Sequence, residues 1–458
     1  MLESVIRESV LDYLKENNIL SNKQFGFLGG RSTILQLLKV YDKWADVLDK
    51  GGTVDTVYFD FQKAFDTVPH ARLMNVLKNY GLSTEIITWI KDFLTNRKQR
   101  VCVNGKKSRV FEVHSGVPQG SVLGPILFVI YINTMIEEAG DVDVWLYADD
   151  TKLFKEIIEE EEDSTSLQHS IDKLNSWSEK SLLRFHPDKC EVMRIQSKSS
   201  KQKSQREYKL NGQPLKNVPA VKDLGVTFSS DLSFENHISL KVKKANSMFG
   251  IIRRSFTYLD CDMFKRLFTS IVRPHLEYGA CVWNPHHKRL IKMIEDVQRR
   301  ATKTVPGLSS LTYQERLKKI GIPTLLYRRY RGDMIEVFKL VTPMYDEAVS
   351  HNFLNCIKAE DEHYNLRQRL KGERFSKDVK KFSFRIRTTK QWNCLPKAVR
   401  NAPSLNAFKQ RLDSLWNNTD VMFDSECNLY DITSTIREVK SKGHEVVTDE
   451  DQPMNLAQ

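Results

Sequence analysis

The spacing of apolar positions divides the chain into elements before any residue chemistry is considered. Leu2, Val5, Ile6, Val10, Leu11 and Leu14 recur at helical spacing with charges between them, which predicts an amphipathic helix over 2–18, broken at Asn17-Asn18. A glycine-rich turn, FGFLGGRST (25–33), leads into a second helix that stops at Gly51-Gly52. Thr53 to Phe61 alternates and is rich in Val, Tyr and Phe, the pattern of a strand. Helix is predicted over 69–98, a hairpin over 99–114 turning at Asn104-Gly105, and helix again over 119–138. Val142 to Leu146, then Tyr147-Ala148-Asp149-Asp150 and TKLF, read as strand, tight turn, strand, with two acids at the tip. An acidic patch, Glu159 to Asp163, precedes a helix at 166–184, and strand-like stretches at 184–195 and 222–228 flank a polar, basic loop at 197–206. Helix dominates from there to about 345. The pattern weakens from 346, and the polar end past 435 is expected to be disordered.

Length and charge refine this picture. A chain of 458 residues suggests two or three domains, and 40% hydrophobic with 10% aromatic residues allows sizeable cores. The net charge of +12 favours polyanionic partners, nucleic acid before an acidic membrane surface; a generic solubility surface is the alternative. The seven cysteines form no C-x-x-C pair and none sits at metal-ligand spacing from a histidine, which argues against zinc modules and a disulfide framework. No signal peptide is visible. The longest apolar run, Val122 to Ile136, is short for a membrane span and contains Pro125 and Asn133, so it reads as a buried core helix. A nuclear or cytoplasmic protein is expected, neither secreted nor membrane-embedded.

Asp60 falls within the predicted first strand among apolar neighbours, where an aspartate is costly unless it is paired or binds a cation. Asp66 is expected to be structural, at a helix N-cap. If the strand carrying Asp60 neighbours the hairpin carrying Asp149-Asp150, three carboxylates converge, a cluster suited to two magnesium ions about 3.5–4 Å apart. Between them lies HSGVPQGSVLGPILFVIYIN (114–133), whose glycines let backbone approach a ligand and whose turn presents Gln119. An acidic turn and a glycine-rich helix entry are the bland readings of these two segments taken alone.

Three segments occur in order: Asp60 within FDFQKAFD, SGVPQGSVLGPILF, and YADD. They match the palm of reverse transcriptases, and their wording closely resembles that of non-LTR retrotransposons, the LINE-type elements of animals. FGFLGGRST resembles the segment preceding the palm, RFHPDKCEVMRI the motif after the catalytic hairpin, and VKDLGVTF the primer-grip strand. RPHLEYGACVWNP (273–285), VQRRATKTVPGL (297–308), YRRYRGDMIEVFKL (327–340) and WNCLPKAVRNAPSLNAFKQRL (392–412) resemble the C-terminal region, so the likeness spans residues 1–416. It implies an RNA-directed DNA polymerase that extends a DNA 3′-end on an RNA template, taking dNTPs and two Mg2+ ions. Asp60, Asp149 and the adjacent Asp150 would hold metal, with the backbone carbonyl of Phe61. Phe65 matches the aromatic gate that rejects a 2′-hydroxyl; the alternative is a core phenylalanine. Gln119 matches a residue contacting the incoming nucleotide. Lys189 matches the proposed general acid, with a solvated lysine as the alternative. Arg31 would touch template or triphosphate, or else serve as helix-start charge. Lys241, Lys243, Lys244, Arg253 and Arg254 on a thumb helix would track phosphates, or form a solvated face. Arg299, Arg300, Arg328, Arg329 and Arg331 are further candidates for RNA or DNA.

The expected fold is α+β, with a palm whose antiparallel sheet carries helices on one face. Expected boundaries are partial fingers at 1–52, palm at 53–230, helical thumb and connection at 231–345, a helical region at 346–416 and a weakly structured tail at 417–458. The family's endonuclease domain and first fingers strand would lie ahead of Met1, and Leu28 and Gly29 stand where the family shows basic residues. An N-terminally truncated copy is therefore expected, with a catalytically inactive nucleic-acid-binding remnant as the alternative function.

Overall fold

In the computed structural model, residues 2–140, 142–197, 206–351, 353–354, 369–417 and 422–426 are described. Most of the basic loop at 197–206, the end past 435, Cys356 and Cys427 lie outside them. The chain divides into two compact units. One comprises 1–237 with 343–353 and 375–383; the other comprises 238–342, 354–374 and 384–458.

The first unit is built on a five-stranded sheet. Helices α1 (Leu2–Glu16) and α2 (Thr33–Asp49) precede β1 (Thr53–Phe59). Then come the short α3 (Ala64–Thr67), α4 (His70–Asn79) and α5 (Thr84–Leu94), so the helix predicted over 69–98 is broken, with Gly81 at φ +79. Four two-residue strands follow: β2 (Lys98–Gln99), β3 (Cys102–Val103), β4 (Lys106–Lys107) and β5 (Phe111–Glu112). They form one exposed ribbon that turns where predicted, with Asn104 and Gly105 both at positive φ, as a two-residue hairpin requires. Helix α6 (Gly124–Glu138) starts later than the predicted 119 and is buried over most of its length. The hairpin that turns at Ala148-Asp149 is β6 (Asp143–Tyr147) and β7 (Asp150–Ile157).

Helix α7 (Glu160–Ser181) corrects the sequence reading, because Glu160 to Asp163 form its first turn instead of preceding it. Acids at that end are favoured by the helix dipole, a preference that apolar periodicity does not register. Of the stretch 184–195, only β8 (Glu191–Ile195) is a strand; Pro187–Lys189 makes a single 3₁₀ turn before it. The strands β9 (Lys209–Leu210), β10 (Gln213–Pro214) and β11 (Lys216–Asn217) follow. The stretch 222–228 is a hairpin, not one strand: β12 (Ala220–Asp223) and β13 (Val226–Ser229) turn at Leu224-Gly225, both at positive φ. Helix α8 (Glu235–Ser255) comes next.

The sheet order is β11-β8-β1-β7-β6. All its pairings are antiparallel except β11 with β8, so the sheet is mixed. Alternation along β1 sends Val57 and Phe59 to a core shared with α1, α4, α5, α6 and α7. The opposite face is covered too. Trp44 of α2 packs edge-on against Phe154 and Phe228, at 5.7 and 5.4 Å between ring centres. Segment 343–353 joins this unit through the amide of Asp346, which donates to Gly30 O at 2.8 Å. Segment 375–383 joins through Ser376 and Lys377 amides on the Asp49 carboxylate.

The second unit is helical in its described residues. Phe264 stacks on Phe268 at 5.3 Å, Phe338 on Phe408 at 4.4 Å, and Tyr327 meets Trp416 edge-on at 5.6 Å. Among the described residues of both units, no helix is long and apolar enough to cross a membrane.

The buried acid of β1 is Asp55, not Asp60. Asp55 is fully buried and accepts two hydrogen bonds from Arg194 of β8, each 2.7 Å, and one from Tyr208 at 2.7 Å. Arg194 also reaches Glu160 at 2.6 Å. Removing one partner of a buried pair strands the other charge, which costs about 3–5 kcal/mol. Asp55→Ala is therefore expected to lower unfolding stability by that amount in urea titration. A loss below about 1 kcal/mol would show that the pair does not hold β8 to β1.

Candidate active site

Asp60 stands one residue beyond the end of β1, its side chain about half exposed (47%). Its backbone is fixed from the neighbouring strand. The Asp60 carbonyl accepts from His186 N at 2.7 Å, Gln62 N donates to Arg184 O at 2.9 Å, and Phe61 pairs with Phe185. That bridge leaves the Phe61 carbonyl out of its own bonds. The Cys190 thiol lies against the Asp60 carbonyl, and burial raises the thiol pKa to about 11, so it is an inert neighbour.

The second element is the turn between β6 and β7. Tyr147 pairs with Asp150, and Ala148 takes φ +56. A left-handed alanine costs roughly 1 kcal/mol. Fully buried Gln24 offsets that strain. Its Oε1 accepts from Ala148 N at 2.9 Å and from Gly26 N at 2.7 Å. Gln36, also fully buried, donates to Leu146 O at 3.0 Å. Gly26 passes so close that a Cβ on it would sit 2.3 Å from Ala148 N. The FGF segment is thus a buttress for the acidic turn. Sequence reasoning missed Gln24 and Gln36; the only available signal was a glutamine placed directly before a glycine-rich turn.

Register brings the acids together. Phe59 lies opposite Thr151, so Asp60 and Asp150 emerge at adjoining ends of β1 and β7. Burial raises the pKa of Asp149, and the Asp60 charge raises it further against an opposing backbone hydrogen bond. Asp150 is pushed up to about 6, first by burial, then by the charges of Asp149 and Asp223, with Lys152 opposing and Asp60 adding a little. Lys189 Nζ is 3.6 Å from Asp60 Oδ1, both half exposed. A cleft of about 140 Å³ opens here, lined by Asp60, Asp150 and Lys189 on one side and Lys222, Asp223 and Leu224 of the β12–β13 hairpin on the other. Lys152 and Asp223 form a buried ion pair across it, a link that sequence reasoning missed. Among the described residues, no three His, Cys, Asp or Glu side chains are gathered closely enough to hold a metal ion as they stand. The donor set nevertheless fits a hard divalent cation. It consists of carboxylates whose charges oppose one another, with no thiolate or imidazole among them.

The glycine-rich loop docks onto the segment after Asp60. Gly116 N donates to Val68 O and Val117 N to Phe65 O, each at 2.8 Å. Gly116, at φ +86, would place a Cβ 2.7 Å from the Asp66 backbone, so only glycine allows the approach. Asp66 is not an N-cap. Lys63 holds that position at φ +50, and the exposed Asp66 carboxylate instead accepts from Gln119 Nε2 at 2.9 Å. Phe65 is half buried, stacked on Phe128 at 4.3 Å and edge-on to Phe27 at 6.0 Å, so its ring orientation is fixed. Arg31 is held inside the protein. Its side chain is 6% exposed, pairs with Asp346 at 2.8 Å, and donates to the carbonyls of Ser21 and Gln24. The structure makes it a fastener for segment 343–353.

In the second unit, Lys243, Lys244, Arg253 and Arg254 are exposed along α8, opposite buried Val242, Ala245 and Ile252. Lys241 is half buried and lies over the Tyr278 ring at 6.0 Å. Three of the arginines considered for nucleic acid are occupied internally. Arg328 pairs with Glu277 at 2.8 Å, Arg331 pairs with Asp413 at 2.5 Å, and Arg329 is buried with its Nε on Asn284 Oδ1. Arg299 lies over the Tyr313 ring and donates to Ser425, and Arg300 reaches Asn246. The repeated arginines of YRRYRGD thus serve folding of the helical unit.

Residues 2–228 match the family described as reverse transcriptase (RNA-dependent DNA polymerase). The chain is similar to the RNA-directed DNA polymerase from mobile element jockey of Drosophila melanogaster, at 27% identity over 67% of this chain and 34% of that protein. It is similar to the probable RNA-directed DNA polymerase from transposon X-element of the same species at 24% identity, again over 67% and 34%. It thus spans about a third of the length of these relatives. It is also similar to the solved telomerase from Candida albicans in complex with a fragment of telomeric RNA, at 12% identity and a TM-score of 0.41, over 69% of this chain and 57% of that one; a likeness so distant carries no functional information. With the ordered motifs and the relatives agreeing, the chain belongs to the reverse transcriptases of non-LTR retrotransposons.

Proposed function

We propose that this chain extends a DNA 3′-end on an RNA template by nucleotidyl transfer from dNTPs. The observation that carries the reading is the convergence of Asp60, Asp149 and Asp150 at adjoining strand ends, where burial and mutual repulsion raise the pKa of the hairpin pair. Asp60 and Asp149, with Asp150 and the Phe61 carbonyl, would hold two Mg2+ ions. When bound, those ions supply charge neutralisation of the triphosphate and activation of the primer hydroxyl. The chain's own residues do the rest. Phe65, fixed between Phe128 and Phe27, presents an aromatic wall that excludes a 2′-hydroxyl. Gln119, steadied by Asp66, faces the nucleotide from the glycine-rich loop. Lys189, beside Asp60, is placed to give a proton to departing pyrophosphate. The exposed cations of α8 supply phosphate contacts.

One assay tests this reading. Primer extension on an RNA template with Mg2+ and dNTPs is expected from the unmutated chain, and Asp149→Ala is expected to reduce it on the order of 10³-fold or more. With ribonucleotides in place of dNTPs, Phe65→Val is expected to raise incorporation at least about tenfold. No extension by the unmutated chain, or extension that survives Asp149→Ala, would contradict the assignment.

The acid cluster also sets a pH dependence in the absence of metal. Asp150 has a folded-state pKa of about 6, raised above the unfolded value near 4. Its charge therefore costs no stability below pH 4. The cost grows between 4 and 6 and is fully present above 6. Asp150→Asn is expected to raise the melting temperature at pH 7.5 and leave it unchanged at pH 4. Although protein atoms crowd Asp150, its side chain still reaches solvent, which screens the repulsion, so the gain should not exceed about 1 kcal/mol. A stabilisation equal at both pH values would show that repulsion is not its source.

A further inference from the structure

The ribbon formed by β2 to β5 has no part in the site described above, yet its composition is unusual. Every residue from Lys98 to Glu112 is exposed, including Val101 at 65%, Val103 at 62% and Phe111 at 45%. A two-stranded hairpin on its own is marginal in water, and this one leaves its apolar side chains uncovered. It carries Lys98, Arg100, Lys106, Lys107 and Arg109 against a single acid, Glu112. The cations are not confined to one side. Val103 pairs with Lys106 and Cys102 with Lys107, so Lys106 and Lys107 point to opposite faces. The base is rigidly tied: Val113 N donates to Arg97 O at 3.0 Å, and Arg97 Nη2 donates to Gly116 O at 2.9 Å, in the loop that carries Gln119.

We propose that the 97–113 ribbon is a docking arm for double-stranded DNA and enters its major groove. Cations on both faces suit insertion between two phosphate walls and do not suit lying flat on one surface. The major groove of B-form DNA is wide enough for a two-stranded ribbon, and the apolar side chains meet thymine methyl groups there. The deep, narrow major groove of A-form duplexes excludes the same ribbon. The tie to Gly116 places the duplex beside the polymerising site, so the proposal rests on the polymerase reading and names a DNA partner for it.

The test uses the full chain and the triple variant Lys106→Gln, Lys107→Gln, Arg109→Gln, whose exposed positions leave folding unaffected, as melting would verify. Binding of a DNA duplex and of an RNA duplex of the same sequence is followed by fluorescence anisotropy over about 50–200 mM salt. Each lost phosphate contact lowers the slope of log affinity against log salt by about 0.9, so the DNA slope is expected to fall by about 3. DNA affinity at low salt should drop at least about tenfold, and RNA-duplex affinity less than about twofold. The proposal is overturned if the unmutated chain does not bind duplex DNA. An unchanged DNA slope, as a protein partner for the ribbon would give, or an equal loss on the RNA duplex, overturns it too. Primer extension measured in parallel separates the two readings. A chain that binds duplex DNA through the ribbon and extends nothing contradicts the polymerase reading alone.

Discussion

Carboxylates at the ends of neighbouring strands repel one another, and here the sheet register sets three of them at adjoining strand ends. Asp60 follows β1 directly, Asp150 opens β7 beside it, and Asp149 sits in a turn of only two residues. That turn requires a left-handed alanine. Two buried glutamines, Gln24 and Gln36, hold it through its backbone. The sheet therefore holds its acids at adjoining strand ends against both charge repulsion and backbone strain. Such an arrangement is stable because the surrounding structure over-determines it, and strain of this kind collects where a ligand will relieve it.

The same sheet handles its other charges differently. Asp55 with Arg194 and Lys152 with Asp223 are buried and paired. They fasten β8 to β1 and the β12–β13 hairpin to β7, and so shape the cleft from both sides. Among the described residues, the site acids make one ion pair, between Asp60 and the half-exposed Lys189. Charge pairing thus separates scaffold from site more sharply than burial does.

Much of this was legible in the sequence, and the failures have identifiable causes. The turns at Asn104-Gly105 and Tyr147-Ala148-Asp149-Asp150 were read correctly because turn chemistry is local. Burial singles out Asp55, not Asp60 five residues later, which the sequence marks as costly in a strand; Asp60 carries the family motif and stands half exposed at the strand end. The start of α7 was missed because acids in a first turn carry no apolar signal. Arg31, Arg328, Arg329 and Arg331 looked like free cations, yet their partners Asp346, Glu277, Asn284 and Asp413 lie far away in sequence. Long-range pairing is the information that a linear reading lacks. The converse holds for the ribbon at 97–113, whose every charge was visible and whose isolation was not.

If Asp60, Asp149 and Asp150 hold a metal ion, its binding displaces the proton that Asp150 partly retains near pH 6. Calorimetric titration of Mg2+ near pH 6, in two buffers of different ionisation enthalpy, measures both binding and proton release. Binding accompanied by proton release is expected, with both lost in Asp149→Asn. Binding that releases no protons, or that persists unchanged in Asp149→Asn, would contradict it.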